Sequence, residues 1–413
     1  MKKHILFGFA LTAIASAALA QSSVTLYGIA DIGLFKSSNT AGGDQVQLAS
    51  GLMEGSRWGL RGNEDLGGGM RAIFTLENRF ELDTGSVTNR PISGATVPAR
   101  LISGLPANFA AVVAGGAGPL QAVNGTGKLF DRQAYVGLVT PVGAFLFGRQ
   151  YTPAFATFAK YDINGTEGPG QPGALGMLLY QPVEIRRDNS IQYVIQKSGF
   201  SAAVMHALGE IRTATTPTSS GSMTGLNFSY DGGPFSAGVG FNTSKDALGQ
   251  KSLESAVVGA SYNFGFMKIS GEVANIKDDN PALVPLLQAA LAVSTVPGVA
   301  PNAAAIAAAT KPNLIQDATL AHIGASAAVG PGTAKLSFNR LNDKRAANAD
   351  SSSVGFTYTY PFSKRTDVTF LAARVTNKGL GQVALGGAGF SGGVTTAPGV
   401  DSNTVGFGIR HRF

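Results

Sequence analysis

Segments of about ten residues in which apolar and polar side chains alternate recur along nearly the whole chain, separated by Gly, Pro, Asn and Asp. A period of two is the pattern of a β-strand with one apolar and one polar face. In residues 24–32, for example, Val24, Leu26 and Ile32 share one face, opposite Asp31. After the first twenty positions, no uninterrupted apolar run reaches the roughly 20 residues of a membrane-spanning helix, which excludes a helical membrane protein. The pattern predicts an all-β chain.

Alternation alone would also fit a soluble β-sandwich, whose strands have one wet face. Three features favour a transmembrane barrel instead. The polar face is rich in Gly, Ser and Thr, as expected of side chains that line a water-filled lumen. Aromatic residues cluster beside the short turns, for example Tyr262, Phe264 and Phe266, where a girdle at a membrane interface would lie. Tight turns also alternate with long linkers, which is the layout of an outer-membrane β-barrel.

The strand count favours one large antiparallel barrel. Sixteen segments are predicted as strands, near residues 23–35, 52–63, 69–80, 129–139, 143–150, 189–197, 200–208, 223–231, 234–242, 254–263, 266–275, 318–329, 333–341, 351–360, 366–376 and 402–413. An even number lets the last strand pair with the first, which removes both sheet edges. Barrels of about 16 to 18 strands leave an aqueous channel.

The first twenty residues are typical of a secretory leader. Lys2 and Lys3 form a basic region, residues 5–14 are apolar, and Ala18-Leu19-Ala20 presents a cleavage site. We therefore predict a signal peptide over residues 1–20 and a single barrel domain over residues 21–413. The absence of cysteine excludes disulfide frameworks, zinc ribbons and thiol catalysis.

Several short motifs resemble those of the betaproteobacterial general porins, and the resemblance runs over essentially the whole predicted mature chain. They are Ser22-Ser-Val-Thr-Leu-Tyr-Gly28, Gly55-Ser-Arg-Trp-Gly-Leu-Arg-Gly62, Glu64-Asp-Leu-Gly-Gly-Gly69, Arg132-Gln-Ala-Tyr-Val-Gly-Leu138, Gly148-Arg-Gln-Tyr-Thr-Pro153, Arg187-Asp-Asn-Ser190 and His411-Arg-Phe413. The resemblance implies a homotrimer of 16-stranded barrels in the outer membrane, with short periplasmic turns, long external loops and a third loop folded into the lumen.

That resemblance also implies a function and a set of partners. The function is a water-filled channel for passive diffusion of small hydrophilic solutes and ions. The partners are outer-membrane lipid, lipopolysaccharide, the permeating solutes, and a barrel-assembly machinery that reads the terminal aromatic residue Phe413.

The charges on the polar face predict a preference for anions. If apolar positions face lipid, eight basic residues point inward, namely Arg57, Arg61, Arg71, Arg79, Lys268, Lys335, Arg410 and Arg412, against the acids Asp31, Glu77 and Glu272. Rings of Arg or Lys favour anions at a pore. Arg57 and Arg79 lie well inside their strands and are predicted to line the channel wall with Glu77. The four arginines at positions 61, 71, 410 and 412 have the alternative role of solvating the periplasmic rim.

The linker from Tyr151 to Asp188 is the third long connection and the predicted constriction loop. Four acids in it, Asp162, Glu167, Glu184 and Asp188, either face the wall arginines across the narrow part or lie on an exposed loop surface. Opposed acids and bases would create a transverse field across the channel. Arg149 lies where the strand meets this linker, and the family motif places it at the constriction.

Enzyme and nucleic-acid functions find little support. His206, His322 and His411 lie in separate predicted strands, without metal spacing or a catalytic partner, so no metal, cofactor or catalytic residue is expected. The basic residues are spread through strands, which disfavours nucleic-acid binding. The alternative function is a barrel that acts mainly as an adhesin, binding protein or surface enzyme. Its lumen would be plugged by long loops such as residues 81–128 and the Ala-rich residues 276–317, where a short helix could form.

Overall fold

A computed structural model describes residues 22–89, 91–117, 124–125, 127–175, 184–210, 217–386 and 392–413. The predicted signal peptide lies outside the described residues. The strands are β1 Ser23–Thr40, β2 Gly43–Ser50, β3 Arg57–Gly67, β4 Met70–Arg79, β5 Gln133–Thr140, β6 Gly143–Tyr151, β7 Arg186–Lys197, β8 Phe200–Ala207, β9 Met223–Gly232, β10 Phe235–Lys245, β11 Lys251–Asn263, β12 Met267–Asp278, β13 Gln316–Val329, β14 Gly332–Asp343, β15 Ser351–Pro361, β16 Thr366–Asn377, β17 Val383–Ala384, β18 Gly393–Val394 and β19 Ser402–Arg412.

The main sheet is a closed antiparallel barrel, as predicted. Among the described residues it contains 17 strands, and β1 pairs with β19 to close it. Strands β2 and β3 share one place in the barrel, because β2 pairs with one half of β1 and β3 pairs with the other half. The barrel wall therefore has 16 strand positions, which confirms the predicted count.

The two barrel faces differ as the alternation predicts. The outer face carries exposed apolar side chains in every part of the wall, for example Val136, Phe228, Leu336 and Phe407. The inner face carries polar and small residues that the loops and neighbouring strands bury. This arrangement matches a wall with hydrocarbon outside and water inside.

The connections at the two barrel ends also differ. At one end, the described turns between consecutive strands contain two to four residues, for example 141–142 and 362–365. The other end carries the long connections, which contain the helices α1 Ala99–Ile102, α2 Ala107–Ala117, α3 Pro153–Tyr161, α4 Leu283–Ala292 and α5 Ala303–Leu314 and the short 3-10 helices Pro172–Leu175 and Ala300–Asn302. Within the described part of the chain, none of the helices has the length and apolarity needed to cross a membrane.

Two long connections form a helical cap, defined here as α1, α2, α4 and α5. Leu101 and Val113 from the first connection pack with Leu287, Leu291 and Ile306 from the other, and all five side chains are buried. The expected short helix in residues 276–317 is therefore a pair of helices, and residues 81–128 contain two helices that the alternation gave no sign of. Burial of an apolar stripe between the two connections stabilises helices that would be marginal alone.

The wall departs from the predicted strand 52–63. Residues 51–56 leave the sheet and turn into the lumen, and regular pairing resumes only at Arg57. The buried carboxylate of Asp31 holds this inward segment, because its Oδ2 accepts hydrogen bonds from the backbone N–H groups of Met53 (3.1 Å) and Glu54 (2.8 Å). This inward segment, residues 51–56, carries Glu54 into the lumen, beyond the reach of a residue in the strand itself.

Candidate functional site

The connection between β6 and β7, residues 152–185, is called the lumen loop below, and its described residues 152–175 fold into the barrel. It begins with α3, whose N-terminus is fixed by Thr152, because the hydroxyl of this residue accepts a hydrogen bond from the Phe155 N–H at 3.3 Å. Helix α3 lies against the inner faces of β9 to β12. The Thr157 hydroxyl donates to the Val239 carbonyl at 3.2 Å, and the Tyr161 hydroxyl lies 3.1 Å from that of Ser236.

Glycines on the inner wall make room for the lumen loop. A Cβ at Gly259 would lie 2.4–2.6 Å from side-chain atoms of Tyr161. Further along, a Cβ at Gly324 would lie 2.2 Å from Cγ2 of Ile163, and one at Gly355 would lie 2.4 Å from the backbone of Gly170. Such distances are far below van der Waals contact, so part of the chain's high glycine content is required by the close approach of loop and wall.

Asp162, a predicted constriction acid, is buried where the lumen loop turns after α3. Its oxygens accept hydrogen bonds from the N–H groups of Asn164 (2.9 Å) and Thr166 (2.8 Å). The next N–H, of Ile163, donates to Nε2 of His322 at 3.0 Å. Burial raises the pKa of Asp162, and nearby His322 opposes that shift. Asp162 therefore stabilises the turn and does not face the wall arginines.

Glu167, the second predicted constriction acid, contacts two basic groups of the wall. Its Oε1 lies 3.0 Å from Nη1 of Arg410, and its Oε2 lies 3.5 Å from Nζ of Lys335. The next residue, Gly168, donates its N–H to the carbonyl of Met53 at 2.9 Å, which joins the lumen loop to the inward segment. Burial raises the pKa of Glu167, while Lys335 and Arg410 oppose that shift. The part of the loop around Glu167 is thus held to the wall by ion pairs.

For Arg410 the sequence leaves open an inward position or a role at the periplasmic rim, and the structure has it inside the lumen. The side chain of Arg410 is only 7% exposed and lies between three carboxylates, those of Glu54 (2.9 Å), Glu167 (3.0 Å) and Asp367 (3.2 Å). Arg412 contacts Glu54 and Asp367 but is 37% exposed. Alternation could place Arg410 on the inner face. It could not show that the inward segment and the lumen loop meet at this residue.

Glu54 links this cluster to the predicted wall arginine Arg57. Nη2 of Arg57 lies 3.0 Å from Oε1 of Glu54, while Oε2 of Glu54 contacts Arg410 and Arg412. Burial opposes ionisation of Glu54, but the three arginines together hold its pKa below the ordinary value. One carboxylate therefore serves three guanidinium groups.

Arg79 lies directly opposite Arg57 in the ladder between β3 and β4. Its guanidinium contacts Glu81 at 3.3 Å and Asp131 at 3.5 Å, just beyond the strand ends. Burial raises the pKa of Glu81 to about 7, against the opposing effect of Arg79. Near neutral pH, Glu81 is therefore a weak counter-charge.

Glu77 belongs to the same inner wall and pairs with Arg132, which the alternation pattern did not assign. Nε of Arg132 lies 2.7 Å from Oε1 of Glu77, and Nη2 of Arg132 donates to the Tyr151 hydroxyl at 3.2 Å. Arg186 donates to the same hydroxyl at 3.1 Å. Both arginines lie at strand ends, where a period of two no longer predicts orientation. Arg132 begins one of the family-like motifs, but the sequence predicted no role for it or for Arg186.

Arg149 is not part of this lumen cluster. It lies in register with Ala134, on the face that carries the exposed Val136, so it points to the outer side of the wall. Its Nη1 contacts Asp188 at 2.7 Å, and Asp188 also pairs with Lys128. The strand pairing shifts register beside Arg149, so parity in the sequence could not place this residue.

The remaining chemistry of the lumen is ionic and aromatic. Glu184, the other predicted loop acid, pairs with Arg187. Within the described ranges, no three His, Asp or Glu side chains come together as a metal site would require. The described cluster can present guanidinium groups and carboxylates to solutes in a water-filled passage.

Comparisons with known proteins agree with this geometry. A profile of the Gram-negative porin family matches residues 8–380. Outer membrane porin protein 32 of Delftia acidovorans is 30% identical over the full length of both chains, and an outer membrane porin protein of Bordetella pertussis is 27% identical, again over both full lengths.

Among solved structures, the fold is similar to that of an anion-selective porin from Comamonas acidovorans, with a TM-score of 0.69 and 27% identity over 95% of this chain and all of that chain. An OmpF structure from Salmonella typhi has a TM-score of 0.55 at 15% identity, covering 94% of this chain and 97% of that chain, and shows likeness of fold alone. The chain therefore belongs to the Gram-negative porin family, and it is an outer-membrane β-barrel that forms a channel for passive diffusion of small hydrophilic solutes.

Proposed function

We propose that this channel prefers anions and that Arg57, Arg79, Glu77 and Glu167 line its constriction. The supporting observation is a charge imbalance in the ion pairs around Glu54. Four basic groups, those of Arg57, Lys335, Arg410 and Arg412, share three carboxylates, those of Glu54, Glu167 and Asp367. Positive charge in a narrow passage lowers the barrier for anions, and it is screened less there than on an open surface. The name of the Comamonas relative, an anion-selective porin, points the same way.

The test is the reversal potential of the reconstituted channel in a KCl gradient. The unaltered channel should prefer chloride. Replacing Arg57 and Arg79 together with Ser should shift the potential toward cations, because Glu81 and Asp131 would lose Arg79 and Glu54 would lose one of its three basic partners. A cation-selective unaltered channel would contradict the proposal.

Arg149→Ser provides the matched control for this experiment. It removes an arginine from the outer side of the wall and should leave the reversal potential unchanged. Equal shifts from the control and from the double variant would show that total charge, rather than charge in the lumen, sets selectivity.

We also propose that the functional unit is a homotrimer and that residues 1–20 are removed on export. The leader composition and the family resemblance support these two points. The intact mass of protein purified from outer membranes should correspond to a chain that begins at Gln21. Cross-linked protein that has not been heated should migrate in gel electrophoresis as a species of three chains. A retained leader, or a monomer, would contradict the respective proposal.

A further inference from the structure

Arg186 differs from the other guanidinium groups around it because no carboxylate pairs with it. In the described residues, Arg57, Arg79, Arg132 and Arg187 each have an acidic partner. The stretches outside the described residues contain no Asp or Glu, so all 25 acids of the chain have been placed and none pairs with Arg186. A cation held in a protein interior without a counter-ion is costly.

The surroundings of Arg186 leave part of its hydrogen-bonding capacity unused. Its Nη2 donates to the hydroxyl of Tyr151 at 3.1 Å, and the guanidinium carbon lies 4.7 Å from the centre of the Tyr151 ring. Its Nε is buried and has no hydrogen-bond partner. An unmade bond to a buried N–H costs about 1–3 kcal/mol. The side chain as a whole is only partly buried, so a small movement toward an acceptor in the passage would recover this cost. A carboxylate could accept from it with charge assistance.

The group beside this cation is aromatic. The rings of Tyr151 and Phe155 stack, with centroids 5.2 Å apart and planes inclined by 23°. Phe155 belongs to α3, so the lumen loop brings its ring to the wall that carries Arg186. Flat apolar surface next to a guanidinium group suits a planar ring that bears a carboxylate, because aromatic pairs add affinity beyond the area that they bury.

We propose that Arg186, Tyr151 and Phe155 form a transient binding site for aromatic carboxylates that cross the channel. Arg186 binds the carboxylate and the ring pair contacts the solute ring. The proposal rests on the proposed preference for anions, and it adds a class of solute and a residue that the charge count in the sequence did not include.

The experiment is block of single-channel KCl current by added benzoate, with cyclohexanecarboxylate as a probe of equal charge and similar size but without a planar ring. Benzoate should block at a concentration about fivefold lower than cyclohexanecarboxylate, the ratio expected from one aromatic contact. Arg186→Gln should weaken the benzoate block about tenfold, the loss expected for one charge-assisted bond. Equal block by the two probes would overturn the aromatic part of the proposal.

Arg187→Gln is the matched control, because it removes the neighbouring guanidinium, whose charge Glu184 already balances. It should change the benzoate block less than twofold, and an equal effect of the two variants would overturn the role of Arg186. If Arg186→Gln does not assemble, Phe155→Leu decides the matter: it should abolish the preference for benzoate while the KCl reversal potential is kept. The two proposals are tested by different measurements. A cation-selective reversal potential of the unaltered channel would contradict the proposed function, whereas the benzoate block tests the binding site.

Discussion

Nη1 of Arg410, on the last barrel strand, lies 3.0 Å from Oε1 of Glu167 at the inner end of the lumen loop. The same nitrogen lies 2.9 Å from Glu54 of the inward segment. Three elements far apart in sequence therefore meet at one guanidinium, which is almost completely buried. This contact is one of several that hold the lumen loop against the wall.

Arg410→Gln should loosen the lumen loop without preventing barrel closure. Removing one partner of a buried ion pair typically costs about 3–5 kcal/mol. We expect the lower part of this range, because Glu54, Glu167 and Asp367 each keep a second basic partner. We expect a lower denaturant midpoint, larger current fluctuations and a higher mean conductance in single-channel recordings. The midpoint and the recordings should change together.

Arg412→Gln is the control for this prediction. Arg412 shares Glu54 and Asp367 with Arg410 but does not contact Glu167. The variant should leave current fluctuations close to those of the unaltered channel. Quiet channels in Arg410→Gln would show that other contacts, such as those of Tyr161, are sufficient to hold the loop.

Anion preference should fall as pH rises through about 7. Burial raises the pKa of Glu81 to about 7, so below this pH the carboxyl is neutral and the charge of Arg79 is poorly compensated. Above it, Glu81 ionises and offsets Arg79. The reversal potential in a KCl gradient, measured at about pH 5 and about pH 9, should shift toward cations at the higher pH. In Glu81→Gln most of this shift should disappear, and an unchanged shift would assign the titration to another group.

The barrel wall could be predicted because its signal is local. Alternation along a strand, as in Val405, Phe407 and Ile409, needs only a lipid side and a water side, and short turns then fix antiparallel neighbours. The inward segment could not be found this way. Its geometry depends on Asp31, which lies about twenty residues earlier in the chain and accepts its backbone N–H groups.

The site was predicted in part, for the same physical reason. Strand parity places Arg57, Arg79 and Glu77 on the inner face, where the structure has them. It could not identify their partners, since Glu54, Glu81 and Asp131 lie beyond strand ends. The count of eight inward basic residues against three acids therefore overestimates the positive charge that is free of a partner. Of the helical cap, the sequence predicted only a short helix in residues 276–317, because the cap is stabilised by contact between two distant connections.

Gly324→Ala should displace the lumen loop, because the new methyl group would lie 2.2 Å from Cγ2 of Ile163. We expect altered single-channel conductance and a lower denaturant midpoint, with the barrel still assembled. Adding Ile163→Ala removes the clashing methyl and should restore much of the conductance. Failure of the double variant to recover would indicate that the contacts it leaves in place, Cβ of residue 163 at 2.8 Å and the Leu336 carbonyl at 3.0 Å from the new methyl, are limiting.

Loss of Phe413 should impair assembly, because this residue closes the barrel seam. Its N–H donates to the Gly28 carbonyl at 3.1 Å, its carbonyl accepts from the Gly28 N–H at 3.0 Å, and its ring covers Gly28. Deleting Phe413 should lower the amount of folded, heat-modifiable protein in outer membranes and leave periplasmic aggregates. Phe407→Ala, which removes an exposed ring from the outer face of the same strand, should have little effect. Gly28→Ala keeps the terminal residue but displaces its ring, so normal levels in this variant would favour recognition of Phe413 by the assembly machinery over its packing. Normal levels after deletion would contradict both roles.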